Sequence, residues 1–228
     1  MNKKVIFILM ISIVSLFTIH FTHAQNAPYV LITFKGLNYA PSNYPGKVIP
    51  IQGSPVIASV ALLQNGKFLD ISNTKINWLI NDQPYEQGIG MSTITFQEPD
   101  LGDKFTQTNI LVKFPDYPSA YVLNSINFYP TSPQVVIENK YPNNLFSNQT
   151  ISLKLIPYFF NISSLNDLNI NWFANNQSPT SLENPSNLTI QIPSDTSPNT
   201  TLNIFTTVSS KINSDESAKA NLTLTYYP

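Results

Sequence analysis

Apolar and polar residues alternate with a period of two along several short stretches of the chain. Ile76, Trp78 and Ile80 fall on one side of an extended segment, and more polar positions fall between them. Successive side chains of a β-strand point to opposite faces, so this pattern predicts a half-buried strand with its tryptophan inward. The same alternation continues in residues 92–97 and 108–114.

Turn-forming residues separate these stretches. The run Asn81-Asp82-Gln83-Pro84 follows the first tryptophan strand, and Pro99 follows residues 92–97. Asparagine, aspartate and proline favour turns, and proline cannot donate a ladder hydrogen bond. After residue 24 no stretch shows the apolar period of 3.6 residues that a capped helix requires. The pattern therefore predicts an all-β protein with almost no helix.

Residues 76–114 repeat without a gap as residues 170–208. The offset is 94 residues, because the chain's two tryptophans, Trp78 and Trp172, both stand in the phrase Ile-Asn-Trp (172 minus 78). Identities held in one register indicate a duplicated module. The predicted structural core of the two copies comprises Trp78, Trp172, Ile76 and Ile170. Further identities in the same register join Asn81 to Asn175, Gln83 to Gln177, Thr95 to Thr189, Gln97 to Gln191, Pro99 to Pro193 and Asn109 to Asn203.

A buried tryptophan on a central strand, within a unit of about 100 residues, is typical of an immunoglobulin-like β-sandwich. We therefore predict two tandem immunoglobulin-like β-sandwiches preceded by an N-terminal signal peptide. The boundaries are residues 1–24 for the signal peptide, 25–130 for the first sandwich and 131–228 for the second. The connector, Thr131-Ser132-Pro133, is short, and its proline limits swing between the sandwiches.

The predicted signal peptide has a basic start and an apolar run. Lys3 and Lys4 precede residues 5–19, and the small residues before Gln25 favour cleavage ahead of it. An uncleaved membrane anchor is the alternative, although an apolar run of roughly 15 residues is shorter than the about 20 that a membrane span needs. After cleavage we expect an exported protein without a membrane span.

Composition excludes several kinds of chemistry. The chain has no cysteine, and both histidines, His20 and His23, lie in the predicted signal peptide. Disulfides, Ser-His-Asp and Cys-His catalysis and typical zinc sites are therefore excluded from the mature chain. No acidic residue stands in a recognisable catalytic phrase, so we predict no enzyme activity, no cofactor and no metal. A net charge of −1 without a basic patch argues against nucleic-acid binding.

Four tyrosines are candidate binding-loop residues. Tyr39 and Tyr44 lie in a segment rich in proline and glycine, residues 38–55, and Tyr117 and Tyr121 flank Pro118. Loops at the ends of a sandwich often carry binding function. Such rings could hold a peptide or a glycan, or they could pack back onto the sheet. We expect a protein or glycan partner, and the sequence defines neither the partner nor the oligomeric state.

Glu98, Asp100 and Asp103 lie within one loop, and calcium favours clustered carboxylate oxygens. The aligned residues of the second copy are Ile192, Ser194 and Ser197, so a calcium site would not be shared by both copies. A polar turn is the interpretation we prefer, and calcium binding by this loop stays open.

The repeat resembles the bacterial immunoglobulin-like domains of the broad PKD-like kind. The resemblance rests on residues 76–83, 88–90 and 94–102 of the first copy, and on residues 130–137 and 157–160 around the second. It implies an exported, non-enzymatic spacer or adhesion protein of the bacterial cell envelope or surface. A periplasmic subunit or assembly factor of a pilus or secretion apparatus is the alternative that we keep.

Overall fold

The computed structural model describes residues 28–99, 106–117, 122–178 and 184–228. Within them the chain forms β-strands and two short 3₁₀ helices, Pro142–Asn144 and Leu165–Asp167. The first sandwich contains β1 (Tyr29–Gly36), β2 (Pro55–Gln64), β3 (Lys67–Phe68), β4 (Lys75–Ile80), β5 (Gln83–Ile89), β6 (Thr93–Gln97), β7 (Thr108–Lys113) and β8 (Leu123–Phe128). The second contains β9 (Gln134–Glu138), β10 (Leu145–Phe146), β11 (Thr150–Tyr158), β12 (Leu168–Ala174), β13 (Asn187–Gln191), β14 (Thr201–Ser210) and β15 (Ser217–Tyr226).

The first sandwich consists of two antiparallel sheets. In one sheet β2 pairs with β1 along one side and with β6 and the short β3 along the other. In the other sheet the order is β5-β4-β7-β8. The tryptophan strand β4 is thus a central strand, with a neighbour on each side, as expected for the third strand of an immunoglobulin-like sandwich.

The second sandwich repeats the pairing of the main strands, but among its described residues no strand corresponds to β3 or β5, and its start is built differently. One sheet has the order β13-β11-β9, and the other has the order β10-β15-β14-β12. The chain leaves the first sheet after β9 and joins the second as β10, which pairs in parallel with the last strand, β15. This switch closes one side of the sandwich with a single segment that contributes to both sheets.

Each sandwich has its own hydrophobic core, and among the described residues no buried one belongs to both cores. The cores arise from alternation: in β4 every second side chain is buried, and β14 shows the same pattern over its whole length. Trp78 and Ile76 lie in the first core and Trp172 lies in the second, whereas Ile170 packs against the second core and stays half-buried. The predicted all-β fold of two tandem immunoglobulin-like sandwiches with almost no helix is confirmed.

The predicted signal peptide, residues 1–24, lies outside the described residues. The last strand of the first sandwich ends at Phe128 and the first strand of the second begins at Gln134, on either side of the boundary placed at Pro130.

Candidate functional site

The two indole rings are anchored in the same way. Trp78 donates a hydrogen bond from Nε1 to the carbonyl of Met91 at 2.8 Å, and Trp172 donates one to the carbonyl of Pro185 at 2.8 Å. Each acceptor follows its tryptophan by 13 residues. A buried indole needs such a partner for its N–H group. Both rings therefore belong to the sandwich interiors and are not displayed as ligand platforms.

The turn after each tryptophan strand explains why asparagines recur in the repeat. Asn81 and Asn175 adopt positive φ angles of 50° and 46°. The Asn81 Oδ1 accepts a hydrogen bond from the backbone N–H of Asn109 at 2.8 Å, and the Asn175 Oδ1 accepts one from Asn203 at 2.9 Å. Asparagine tolerates the left-handed region and carries the acceptor that ties the turn to the neighbouring strand. These identities thus serve the fold.

Two of the candidate tyrosines lie against the other sandwich. The backbone N–H of Tyr39 donates to the carbonyl of Phe160 at 2.7 Å, and the N–H of Phe159 donates back to the Tyr39 carbonyl at 2.7 Å. The Tyr44 ring meets the rings of Tyr158 and Phe159 edge to face, with centroids 5.7 and 5.6 Å apart. We call these five residues the aromatic clasp. The segment predicted as a binding loop thus joins the two sandwiches, and a binding role for its tyrosines stays a prediction.

Phe159 holds an unusual backbone conformation within the aromatic clasp. Its φ is 62°, in the left-handed region that bulky residues rarely adopt, and its side chain is buried. Such a conformation costs roughly 1–3 kcal/mol and persists only where surrounding contacts fix it. The backbone bond to Tyr39 and the ring contact with Tyr44 supply those contacts. The neighbouring Phe160 is fully buried in the second core.

A second contact joins the sandwiches at the connector. Ile51 and Thr131 form a parallel β-bridge, and the Thr131 N–H donates to the carbonyl of Pro50 at 2.8 Å. Ile51 and Pro50 are both buried. Residues 37–54 therefore contact the second sandwich through the aromatic clasp and hold the start of the connector at Thr131. The contact and the fixed connector together restrain the second sandwich relative to the first.

Tyr117 lies apart from the aromatic clasp. Tyr117 packs against the first core, with its ring edge-to-face to Phe114 at 6.2 Å. Tyr121 lies outside the described residues. The structure therefore brings Tyr39 and Tyr44 together at the junction and leaves Tyr117 apart from them.

Glu98 is buried in the first sandwich. Its Oε1 accepts a hydrogen bond from the Thr108 hydroxyl at 2.5 Å, and its Oε2 has no partner. Burial raises the pKa of this carboxyl to about 7, and the hydrogen bond from Thr108 opposes that rise. Asp100 and Asp103, the other members of the candidate calcium loop, lie outside the described residues. Among the residues that the structure describes, no group of three or more acidic or histidine side chains could hold a metal ion.

In the described part of the chain, no helix has the length and apolar character needed to cross a membrane.

Comparison with known proteins gives distant likenesses in structure alone. No protein-family model and no curated protein matches the chain. The three N-terminal domains of the bacteriophage RB49 highly immunogenic outer capsid protein align with 88% of this chain and 59% of their own length, at 15% identity and a TM-score of 0.40. The mouse nectin-like molecule 4 ectodomain aligns at 15% identity and a TM-score of 0.31, covering 88% of this chain and 64% of its own. The BSP domain of a biofilm-associated protein aligns at 12% identity and a TM-score of 0.24, covering 86% of this chain and 30% of its own.

This chain spans 59% of the capsid-protein fragment and 64% of the nectin-like ectodomain. TM-scores below 0.5 at such identities do not define a function for this chain. Its class follows from its own strand order and its two separate cores. The chain is a tandem immunoglobulin-like β-sandwich protein.

Proposed function

We propose that this is an exported, non-catalytic binding and structural protein of the bacterial cell envelope or surface, and that its two sandwiches act as one stiff unit. The observation that carries the proposal is the attachment of residues 37–54 to the second sandwich. An enzyme needs convergent reactive groups, whereas a spacer needs a fixed angle between its modules. The aromatic clasp and the bridge between Ile51 and Thr131 meet the second requirement.

The energetics of the junction favour a single arrangement. Backbone bonds at Tyr39 and Thr131 tie the chain at both ends of the contact. Aromatic pairs such as those of Tyr44 add about 0.5–1.5 kcal/mol each beyond the area that they bury. Tandem domains move relative to each other about their linker unless the interface between them is large and apolar. A buried, aromatic junction therefore supports a spacer that transmits orientation from one end to the other.

Small-angle X-ray scattering tests the stiffness. The variant Tyr39→Ala/Tyr44→Ala removes two rings from the junction, so we expect a larger maximum dimension and a broader distance distribution than in the wild type. The matched control is Tyr29→Ala/Tyr227→Ala, which removes two tyrosines that are 59% and 62% exposed and lie outside the junction. Equal curves for both variants and the wild type would show that the aromatic clasp does not hold the angle.

Cell fractionation tests the location. We expect the chain, starting at Gln25, in the envelope fraction and associated with other envelope components. Recovery of free monomer alone, or of a chain that starts at Met1 in the cytoplasm, would contradict the proposal.

A further inference from the structure

The second sandwich carries an aromatic pair on the outside of its larger sheet. Phe173 in β12 lies directly opposite Phe205 in β14, and the ring centroids are 5.9 Å apart at an interplanar angle of 35°. Both rings point away from the core, because Trp172 and Ile204 beside them point into it. Phe205 remains 37% exposed. Two neighbouring rings on a flat sheet form an apolar platform that is accessible from solvent.

Polar groups surround this platform, and all of them except Lys219 are uncharged. Asn221 of β15 lies opposite Phe205 and extends the row of the two rings. On one side the next row across the sheet contains Asn171, Thr207 and Lys219, and on the other side Asn203 lies opposite Thr223. We call the outward-facing positions of β12, β14 and β15 the Phe173 face.

Charge is almost absent from the Phe173 face. Along these three strands, which the structure describes in full, Lys219 is the one charged residue at an outward-facing position. The remaining outward positions besides the rings carry amides or hydroxyls: Asn169, Asn171, Thr201, Asn203, Thr207, Ser209, Ser217, Asn221, Thr223 and Thr225. A single lysine is not the basic patch that attracts nucleic acid or an anionic surface. The complement of the Phe173 face is a neutral ligand rich in hydrogen-bonding groups.

The chemistry of the face favours a sugar over a protein. Apolar C–H faces of a pyranose ring pack on phenyl rings, and its hydroxyls both donate to and accept from asparagine amides. The near-absence of charge and the row of amides and hydroxyls around the rings are the observations that favour a sugar chain.

The first sandwich shows that the fold does not need aromatic rings at this place. At the positions that correspond in the repeat, Leu79 lies opposite Leu111 in β4 and β7. A leucine pair thus suffices to cover the outside of the sheet. The strand β5 also lies beside β4, where Pro84 is opposite Leu79, and Lys113 lies in the next row. Phenylalanines stand at both positions in the second sandwich, where Lys219 is the one charged outward-facing residue of β12, β14 and β15.

We propose that the Phe173 face binds a neutral polysaccharide. The two phenyl rings provide the stacking surface, and the amides of Asn171, Asn203 and Asn221 recognise hydroxyl groups along the sugar chain. This proposal rests on the binding role put forward above and names its ligand class. The stiffness of the tandem is measured separately by scattering, so either proposal can fail while the other stands.

The test uses the internal repeat as its template. Phe173→Leu/Phe205→Leu gives the second sandwich the residues of the first and keeps the apolar pair. Phe68→Leu, which changes a 71% exposed phenylalanine in β3, is the matched control. Native gels containing hydroxyethyl cellulose, mannan, dextran or glycogen, and sedimentation with cellulose and chitin, measure binding by the full chain. We expect retention of the wild type and of Phe68→Leu by at least one of these polymers, and about tenfold weaker retention of the double variant.

Absence of wild-type retention by all six polymers overturns the proposal, and so does equal retention of the double variant. Retention by anionic alginate alone also counts against it, because that result assigns the binding to Lys219 or to another part of the chain. A second variant, Asn221→Ala, leaves both rings in place and changes an exposed side chain, so it keeps the test valid if the double variant misfolds. We expect it to bind several-fold more weakly than the wild type.

Discussion

Glu98 places a carboxyl group in the interior of the first sandwich, where the repeat has Ile192 in the second. Its hydrogen-bond donor, Thr108, corresponds to Leu202. An apolar pair therefore occupies the same place in the duplicate, so the polar pair is not required by the fold. The Oε2 atom, buried without a partner, makes ionisation unfavourable and explains why the pKa of the carboxyl rises to about 7.

This pKa predicts a pH-dependent stability of the first sandwich. The folded state holds the Glu98 proton more tightly than the unfolded state, whose pKa is near the ordinary 4.5. The stability that protonation of Glu98 contributes is therefore fully present below pH 4.5, declines as the pH rises to about 7, and is absent above that. A pKa of about 7 against 4.5 corresponds to roughly 3 kcal/mol. Urea unfolding at pH 4.5 and pH 8 measures the difference.

Glu98→Gln is the control for this titration, because it removes the ionisable group and keeps the acceptor for Thr108. In this variant the free energy of unfolding of the first sandwich should change between the two pH values only by the contribution of the ionisable groups other than Glu98. The variant Glu98→Ile/Thr108→Leu, which copies the second sandwich, should show the same pH dependence of unfolding as Glu98→Gln. If the first sandwich of the wild type gains stability between pH 4.5 and 8, the predicted direction of the Glu98 effect is wrong.

Among the strands, those with a clear alternation can be predicted from the sequence. The alternation in residues 92–97 and 108–114 predicts two strands, and these form β6 and β7 within one residue at either end. β2 escapes this reasoning because apolar residues stand on both of its faces, so its sequence lacks the alternation of apolar and polar positions. β11 does alternate, with Ile151, Leu153 and Leu155 inward, so the same signal could have found it.

The strand β5 shows a different limit of sequence reasoning. The sequence predicts Gln83 and Pro84 as part of a turn, but both lie in β5, and the turn consists of Asn81 and Asp82. β5 is almost wholly exposed, so it has no pattern of burial to detect. Its main-chain bonds to β4 hold it, and such bonds leave no signature in the choice of side chains.

At the scale of this turn, Asn81 has two roles that substitution can separate. Asn81→Ala loses both the tolerance of φ 50° and the acceptor for the Asn109 N–H, and should cost the first sandwich about 2–3 kcal/mol. Asn81→Gly keeps the conformation and loses only the acceptor, so about 1 kcal/mol is expected. Chemical denaturation of each variant gives both values.

The control for the turn is Asn73→Ala, which changes an exposed asparagine whose φ is not positive. It should be close to neutral. If Asn81→Ala and Asn81→Gly destabilise equally, the left-handed backbone contributes nothing, and this account of the repeated asparagines is wrong.

In the whole molecule, the duplication is visible in the sequence and the junction is not. The repeat is detectable because identical residues recur at one offset. Those residues form the turns and the cores that each copy needs. The junction joins the backbone of Tyr39 to Phe159 and Phe160, far along the chain and absent from the duplicated register. Aromatic residues in a loop rich in proline and glycine give no indication of which surface they will cover.

The proposed polysaccharide site and the proposed stiff junction together describe how the molecule would work. A fixed angle between the sandwiches orients the Phe173 face relative to the far end of the first sandwich. A hinge would let that face turn freely, and the aromatic clasp would then have no mechanical role.

Residual dipolar couplings of the backbone amides, measured on the full wild-type chain in a weakly aligning medium, test the stiff tandem most directly. The account predicts that one alignment tensor fits the couplings of both sandwiches in the relative orientation of this structure. If the couplings of the two sandwiches require alignment tensors of different magnitude, the sandwiches move independently, and the claim of one stiff unit is wrong.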